Sequence, residues 1–413
     1  MRASDDDRLA RDLGRAGRSR RVAALLLIAP LFFFLAFSFV VPIADMLRRS
    51  VTDTEMEEIW PDAARAIRGW DRRTEPDEAM FRVLGRDMRA SAEARTIATA
   101  ARRLNYALPG GRSLVMNTGR ALRGLESGPL SWRETMLAED PAWGERRTWI
   151  ALSHSAGPLT DFYLLTAFDM ERDADDRIVP RPPDQSLYLA VLQRTLLMSA
   201  AVTLLCLALG FPLAHLVANA PPRQANLLMI LILLPLWTSL VVRSAAWIVL
   251  LQDQGIVNGF LQWSGLTSEP VRLIFNRPGV LIAMTHVQLP FMILPIVATM
   301  KAIPKSYMHA AASLGAHPAV AFWRVYLPLT MPGVAAGSLL VFIMSLGYYV
   351  TPALVGGASD QMLAYFIAFN TTSSANWGLA AALGVLLLGA TAVLYFVYSR
   401  IAGSGRPLLG YGQ

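Results

Sequence analysis

Six long apolar stretches dominate the chain and restrict what it can fold into. The first runs from Val22 to Ala44 and is uncharged over its 23 residues, which is enough to cross the roughly 30 Å hydrocarbon core of a bilayer. With 54% hydrophobic and 17% charged residues among 413, the chain is too apolar for a soluble protein. We predict an all-α integral membrane protein with six transmembrane helices, the later five at about 187–217, 227–251, 279–300, 333–355 and 377–399.

The charges beside the first apolar stretch predict its orientation. The N-terminal tail, residues 1–21, ends in an arginine cluster, and short basic segments stay in the cytoplasm. A cleaved signal peptide is the competing interpretation, but the stretch is longer than the roughly 7–15-residue core of such a signal. We therefore predict an uncleaved helix 1 at 22–46, a cytoplasmic C-terminal tail at 402–413, and a multi-pass protein of the cell inner membrane with both termini in the cytoplasm.

A long polar segment, residues 47–186, interrupts the apolar stretches and is rich in both arginine and acidic residues. This composition predicts a soluble domain between helices 1 and 2, which lies on the periplasmic side because the N-terminus is inside. Apolar residues at helical spacing predict at least two amphipathic helices: Phe81, Leu84 and Met88, then Ile97, Ala101 and Leu104. Trp143, Trp149 and the apolar run 162–168 are expected to add to the same core.

Composition argues against several kinds of chemistry. The only two lysines are Lys301 and Lys305, and neither follows a glycine, so the chain has no P-loop for ATP. Its single cysteine, Cys206, excludes an intrachain disulfide, and its five histidines share no metal-ligand spacing. The basic residues do not form one patch, which argues against nucleic acid as a partner. We expect no catalytic residue, metal or cofactor in this chain.

Charged residues and prolines inside the apolar stretches are candidates for a translocation path. Arg194 lies near the outer end of its helix, where it is expected to snorkel towards water. Arg243 lies deeper, and both a helix-packing role and a pore-lining or gating role remain open. Pro290, Pro295 and Pro352 predict helix kinks, which suit a path that opens and closes but equally fit ordinary packing.

Asp360 follows two glycines in a predicted outer loop and is the acidic residue near the presumed mouth of the path. A single charge on a wet loop is more often solvated than part of a substrate site. We interpret Asp360 as a solvated charge.

The segment between the fourth and fifth apolar stretches, residues 302–332, is polar, weakly basic and free of acidic residues. Pro304 precedes a run of helix formers, and Gly315 stands where a left-handed helix C-cap is expected. Pro318 is expected to open a second short helix and Pro328 to stop it. The sequence therefore predicts a helix, a tight turn and a second helix on the cytoplasmic side.

This segment resembles the EAA loop of ABC importer permeases. The family pattern is Glu-Ala-Ala, three residues, Gly, and then a spacer that ends in Leu-Pro. Here Ala310, Ala311, Gly315 and Pro328 stand at the corresponding positions. His309 occupies the position where the family usually has glutamate.

Further motifs are similar, in order and spacing, to the permeases of spermidine/putrescine importers: LVVRSAAW (240–247), GIVNGFL (255–261), LPFMILP (289–295), VTPALVGG (350–357) and NWGLAAAL (376–383). The resemblance covers about 187–400, within a predicted permease core of 187–401, together with the first helix. The 47–186 insertion is much larger than the usual first outer loop of the family.

The resemblance implies a type I, binding-protein-dependent importer. In such an importer two permease subunits form the pore, each EAA loop docks on a cytoplasmic dimer of ATP-binding subunits that carries the ATP, and a periplasmic solute-binding protein delivers the solute. The implied cargo is a polyamine or a related small organic solute. Two alternatives remain: a membrane sensor that uses the 47–186 domain, and a secondary transporter.

Overall fold

A computed structural model of the chain describes residues 26–125, 128–173 and 175–403, and its regular structure is almost entirely helical. The predicted cytoplasmic tail 1–21 and residues 404–413 lie outside these ranges. Six helices in the described part are long and apolar enough to cross a membrane, which confirms the predicted number. They are span 1 (Leu26–Arg49), span 2 (Tyr188–Asn219), span 3 (Leu240–Trp263), span 4 (Arg277–Ala302), span 5 (Pro318–Leu346) and span 6 (Trp377–Arg400).

Shorter elements lie between the spans. The insertion, residues 47–186, contains α1 (Glu55–Ile59), α2 (Pro61–Arg68), α3 (Glu78–Glu93), α4 (Ile97–Ala107), α5 (Gly111–Arg123), α6 (Trp132–Glu139), α7 (Arg146–Ser155), α8 (Phe162–Ala167) and the antiparallel strands β1 (Met170–Arg172) and β2 (Ile178–Pro180). The later connections contain α9 (Pro222–Leu233), α10 (Ser306–Ser313), α11 (Val350–Val355) and α12 (Leu363–Thr372).

The prediction of one continuous helix over 227–251 is wrong. Helix α9 ends at Leu233 and a 3₁₀ turn follows. Pro235 lies in that turn, and it cannot donate the backbone hydrogen bond that an α-helix needs there. A new helix then begins after Ser239, whose side-chain oxygen accepts a hydrogen bond of 3.2 Å from the backbone N–H of Val242. Span 3 therefore starts later than predicted, and it consists of two helical segments, Leu240–Leu251 and Ile256–Trp263.

The fifth helix also differs from the prediction of 333–355. Span 5 already begins at Pro318 and ends at Leu346, and α11 follows as a separate short helix. Pro328 does not stop a helix: it lies in the first turn after a π-helical segment, Phe322–Tyr326. Because the backbone hydrogen bonds change from the π to the α pattern just before Pro328, the proline is accommodated there and the helix continues through it.

Spans 2, 4 and 5 form the centre of the membrane region, and spans 4 and 5 approach each other very closely. A Cβ atom on Gly333 would lie 2.8 Å from the carbonyl oxygen of Pro295, and one on Gly337 would lie 2.9 Å from that of Met292. Side chains therefore do not separate the two backbones at these points. Such contact makes the two spans resist independent displacement.

The insertion has an apolar core of its own. Helices α3 and α4 bury the residues whose spacing predicted them, and Trp143 and Trp149 are fully buried among them. The apolar run 162–168 does not join this core as predicted. Instead, Tyr163 and other residues of α8 pack against Leu379 and Leu383 of span 6, because the apolar surface that covers α8 belongs to the membrane helices.

Candidate functional site

The turn after α10 has the backbone conformation that the sequence predicts. Gly315 has φ +80°, in the left-handed region that favours glycine. The N–H of Ala316 donates to the carbonyl of Ala311, and the N–H of Gly315 donates to that of Ala312, both at 3.0 Å. This pair of hydrogen bonds is the Schellman arrangement that ends a helix. The direction of the chain after α10 is therefore fixed by local hydrogen bonds.

Helix α10 presents the residues of the EAA-like pattern to solvent. His309 and Ala310 are exposed, Ala311 is half-buried, and Leu314 at the C-cap is 88% exposed. The inward side of the helix is held by Met308, which packs against the core formed by spans 2, 4 and 5. An exposed surface of small residues on a fixed helix allows close approach of another backbone.

Aromatic contacts attach the second half of the segment to span 2. Phe322 stacks on Tyr326 with ring centroids 5.7 Å apart, and the ring of His215 meets both of them edge-on at 5.8 and 5.3 Å. His317 accepts a hydrogen bond of 3.3 Å from the N–H of Ala319 and so caps the start of span 5. These contacts therefore link the segment to span 2 as well as to the rest of span 5.

Arg243 lies inside the membrane region beside two other elements. Its neighbour Ser244 shares a hydrogen bond of 2.9 Å with Thr351 of α11, and Trp247 donates one of 3.2 Å to His286 of span 4. Within the described part of the chain, the Nε and Nη1 atoms of Arg243 are buried without a hydrogen-bond partner. Buried guanidinium nitrogens without a partner are costly, and both the packing role and the pore-lining or gating role of Arg243 stay predictions.

The three candidate prolines occupy two different settings. Pro290 and Pro295 lie inside span 4, which remains one helix from Arg277 to Ala302. Pro352 does not kink span 5 as predicted. It lies in the first turn of the separate helix α11, after the chain has left span 5 at Gly347, and a first-turn proline fits a helix without distortion.

Two further buried polar side chains lie at spans 4 and 5, and no sequence pattern singled out either. Gln288 of span 4 is fully buried; its Oε1 accepts a hydrogen bond of 3.0 Å from Ser345, and its Nε2 has no partner among the described residues. The hydroxyl of Tyr348, just beyond span 5, is buried in the same way. Single glutamine and tyrosine residues in apolar stretches are too common to indicate a site without the fold.

Asp360 is not the solvated charge that the sequence suggested. It is 3% exposed, and its carboxylate accepts a hydrogen bond of 3.2 Å from the N–H of Gly357 and lies 3.4 Å from Arg277. The partner precedes it by 83 residues, so only the fold brings the pair together. Arg194, expected to snorkel, donates a hydrogen bond of 3.1 Å to the carbonyl of Gln361. Both residues therefore fix the loop before α12.

Buried polar contacts hold the base of the insertion together, and one of them reaches span 2. Arg103 of α4 forms a fully buried ion pair with Asp53, to which the hydroxyl of Tyr163 also donates a hydrogen bond of 2.9 Å. The carboxylate of Asp169 accepts hydrogen bonds of 2.7 to 3.0 Å from the backbone N–H groups of residues 187–189 and so caps span 2. Because the insertion is rich in arginine and acidic residues, no sequence pattern distinguished Asp53, Arg103 and Asp169 from solvated charges.

Comparisons with known proteins agree with this architecture. Residues 206–404 match a family described as binding-protein-dependent transport system inner membrane component. The spermidine/putrescine transport system permease protein PotB of Escherichia coli (strain K12) is 34% identical over 214 residues, which cover 52% of this chain and 78% of that protein. PotB of Haemophilus influenzae (strain ATCC 51907 / DSM 11121 / KW20 / Rd) is 36% identical, with 52% and 75% covered.

A third relative has no solute in its name: the inner membrane ABC transporter permease protein YdcU of Escherichia coli (strain K12) is 37% identical over 180 residues, 40% of this chain and 57% of that protein. The matches favour neither a membrane sensor nor a secondary transporter. The predicted resemblance is confirmed: the chain belongs to the family of binding-protein-dependent transport system inner membrane components.

Proposed function

We propose that this chain is a permease subunit of an ATP-driven importer and that it forms part of the translocation path for a small organic solute. The observation that carries the proposal is α10, an exposed helix of small residues held against the bundle by Met308. It has the EAA-like pattern of the family, and a rigid exposed helix is what an external motor needs in order to move the spans.

ATP hydrolysis in this proposal takes place on a separate cytoplasmic dimer of ATP-binding subunits. Closure of that dimer would push α10, and the aromatic contacts of Phe322 with Tyr326 and His215 would pass the displacement to spans 5 and 2. The close backbone approach at Gly333 would carry span 4 along. Rigid packed elements transmit such displacements because a close-packed core does not deform continuously.

The segment that contains α10 carries positive rather than negative charge. Residues 302–332 contain no acidic side chain, whereas Lys305 and Arg324 are exposed. His309, at the position of the usual glutamate, is exposed and is able to donate a hydrogen bond that a carboxylate cannot. We propose that the ATP-binding subunit compensates with an acceptor opposite His309, and that Ala310, Ala311, Gly315 and Pro328 shape the docking surface.

The solute is proposed to be a polyamine or a related compound, since relatives named as spermidine/putrescine permeases are about one-third identical. Among the described spans, the acidic residues are Asp45, which pairs with Arg48 and Arg49, and the exposed Asp253. Asp360 of the outer loop is buried beside Arg277, so the described part of the path offers a cation little negative charge. Recognition of a polyamine would then lie mainly in the periplasmic binding protein. The proposed path and gate residues are Arg243, Gln288 and Tyr348, together with Pro290 and Pro295 of span 4 and Pro352 of α11.

The insertion is proposed to dock the binding protein or to brace a second permease subunit, on the periplasmic side of a chain whose termini are both cytoplasmic. Deletion of residues 50–184 tests this role. The deletion should impair docking of the binding protein while the ATP-binding subunit still associates. Full transport by the deleted chain would contradict the proposal.

The proposed coupling is tested with two matched glycine substitutions. Gly315 and Gly265 both have left-handed backbone, with φ +80° and +72°, and a Cβ on either meets no atom within 4 Å. Gly315 follows α10, whereas Gly265 follows span 3 on the predicted outer side. Gly315→Trp should abolish the stimulation of ATPase activity in the reconstituted complex, and Gly265→Trp should preserve it. Equal stimulation in both variants would contradict coupling through α10.

A further inference from the structure

An apolar groove opens at the outer end of span 1. It has a volume of about 390 Å³ and lies between the last turns of span 1, helix α12 and the first turns of span 6. Most of its lining is apolar, from Pro42, Met46, Ile367, Ala380 and Ala381. Because two of these elements are candidate membrane spans and α12 is also apolar, we expect the groove to open to the hydrocarbon rather than to water.

A polar pocket of about 190 Å³ adjoins this groove on the side of the insertion. Its lining includes hydroxyl and amide groups from Thr52, Thr54, Tyr106 and Asn376. Arg49 and Trp377 line both the pocket and the groove. The two cavities therefore form one composite site that is apolar at the end towards the bilayer and polar at the end towards the insertion.

The junction of the two cavities has a surplus of positive charge. Asp45 forms ion pairs with both Arg48, at 2.8 Å, and Arg49, at 2.6 Å, so three charged groups leave one positive charge. The acidic residues of the polar pocket do not neutralise this positive charge, because each forms an ion pair with a different arginine. Asp53 pairs with Arg103, and Glu55 pairs with Arg102 at 3.2 Å.

We propose that this composite site binds one glycerophospholipid with an anionic phosphodiester and a hydroxylated headgroup. One acyl chain lies in the groove, the phosphodiester contacts Arg48 and Arg49, and the headgroup hydroxyls bond to Thr52, Thr54 or Asn376. The single surplus positive charge matches the single negative charge of the phosphodiester. Trp377, which is 53% exposed at the start of span 6, has the position of an interfacial indole.

The lipid also explains how span 1 is held at its outer end. No residue in the most apolar window of span 1 is buried in the chain, whereas its last turns contact span 6, where Met46 faces Gly384. A lipid in the groove fills the space beside that contact. It then joins span 1, span 6 and the base of the insertion through one ligand.

The test uses the full-length chain, purified in detergent and exposed to phosphatidylglycerol, phosphatidylcholine or inorganic phosphate. Native mass spectrometry counts the bound lipids, and thermal unfolding reports stabilisation. The wild-type chain should retain one more phosphatidylglycerol than the double variant Arg48→Gln/Arg49→Gln, whose local charge is negative. That variant should bind phosphatidylglycerol at least roughly tenfold more weakly, as expected when two interfacial arginines are lost. Inorganic phosphate should not stabilise the chain.

The matched control is Arg223→Gln/Arg400→Gln, which removes two exposed arginines at the opposite face of the membrane region. It should keep the additional lipid. A second variant, Ala381→Leu, narrows the groove without a charge change and should also lose the lipid. The proposal is overturned if both groove variants retain the wild-type lipid count, if phosphatidylcholine binds as well as phosphatidylglycerol, or if phosphate alone gives the same stabilisation.

Discussion

The ring of Tyr163 lies directly against the backbone of Gly378, so that even a Cβ atom at position 378 would clash with it. Tyr163 belongs to the insertion and Gly378 to the first turn of span 6. The hydroxyl of the same tyrosine donates a hydrogen bond of 2.9 Å to Asp53. One side chain therefore connects the insertion to span 6 and to the segment that follows span 1.

Gly378→Ala should loosen this attachment. The new methyl group displaces the ring of Tyr163 or span 6, and such overpacking costs about 1–3 kcal/mol. Gly389→Ala is the control, because it lies in the same helix and its Cβ meets no atom within 4 Å. We expect a lower thermal unfolding midpoint and faster proteolysis of the insertion for Gly378→Ala alone. Identical behaviour of the two variants would contradict the close contact.

The Asp53–Arg103 pair should behave as a buried ion pair. The side chains are 2% and 0% exposed, so removal of one partner leaves an uncompensated buried charge that costs about 3–5 kcal/mol. Asp53→Ala should therefore destabilise the insertion strongly, and the double variant Asp53→Ala/Arg103→Met should recover much of the loss. Chemical denaturation followed by tryptophan fluorescence measures both.

The control for this pair is Glu57→Ala, which breaks the ion pair with Arg68. Both of those side chains are 36% exposed, and such pairs contribute about 0–1 kcal/mol. Additive losses in the double variant, or a loss for Asp53→Ala no larger than that for Glu57→Ala, would show that the Asp53–Arg103 pair is not buried in solution.

Acidification should destabilise the insertion through His154. Burial lowers the pKa of His154 below its ordinary 6.5, although the hydrogen bond with Asp176 partly opposes this. The unfolded chain therefore binds more protons than the folded chain near this pH. The contribution of neutral His154 to the free energy of unfolding is fully present above pH 6.5 and is lost as the pH falls below that value. Asp176, whose pKa lies below its ordinary 3.8 despite burial because His154 bonds to it, adds a further loss at lower pH.

Chemical denaturation of the wild type and of His154→Gln at a series of pH values measures this effect. The stability of the wild type should fall between pH 6.5 and 5, and that of His154→Gln should change little in the same interval. A wild-type chain that becomes more stable as the pH falls from 7 to 5 would contradict the assignment.

The sequence predicted the parts of the fold that depend on local patterns. Hydropathy identified six spans, and the left-handed C-cap at Gly315 follows from glycine's freedom to adopt positive φ. Helix boundaries were less predictable, because Pro235 and Pro328 have opposite effects that depend on their position within a helical segment. The ion-pair partner of Asp360 could not be predicted from the sequence, since Arg277 comes near it only after spans 4 and 5 have packed.

The most direct test of coupling through α10 is site-directed crosslinking to the ATP-binding subunit. The only native cysteine, Cys206, is buried, so new cysteines report their own surroundings. Leu314 and Leu266 are matched positions: they are 88% and 70% exposed, and each adjoins a glycine with positive φ. A cysteine at Leu314 should crosslink to the copurified ATP-hydrolysing subunit, and one at Leu266 should not. Absence of a crosslink from position 314, or equal crosslinking from both positions, would contradict the account.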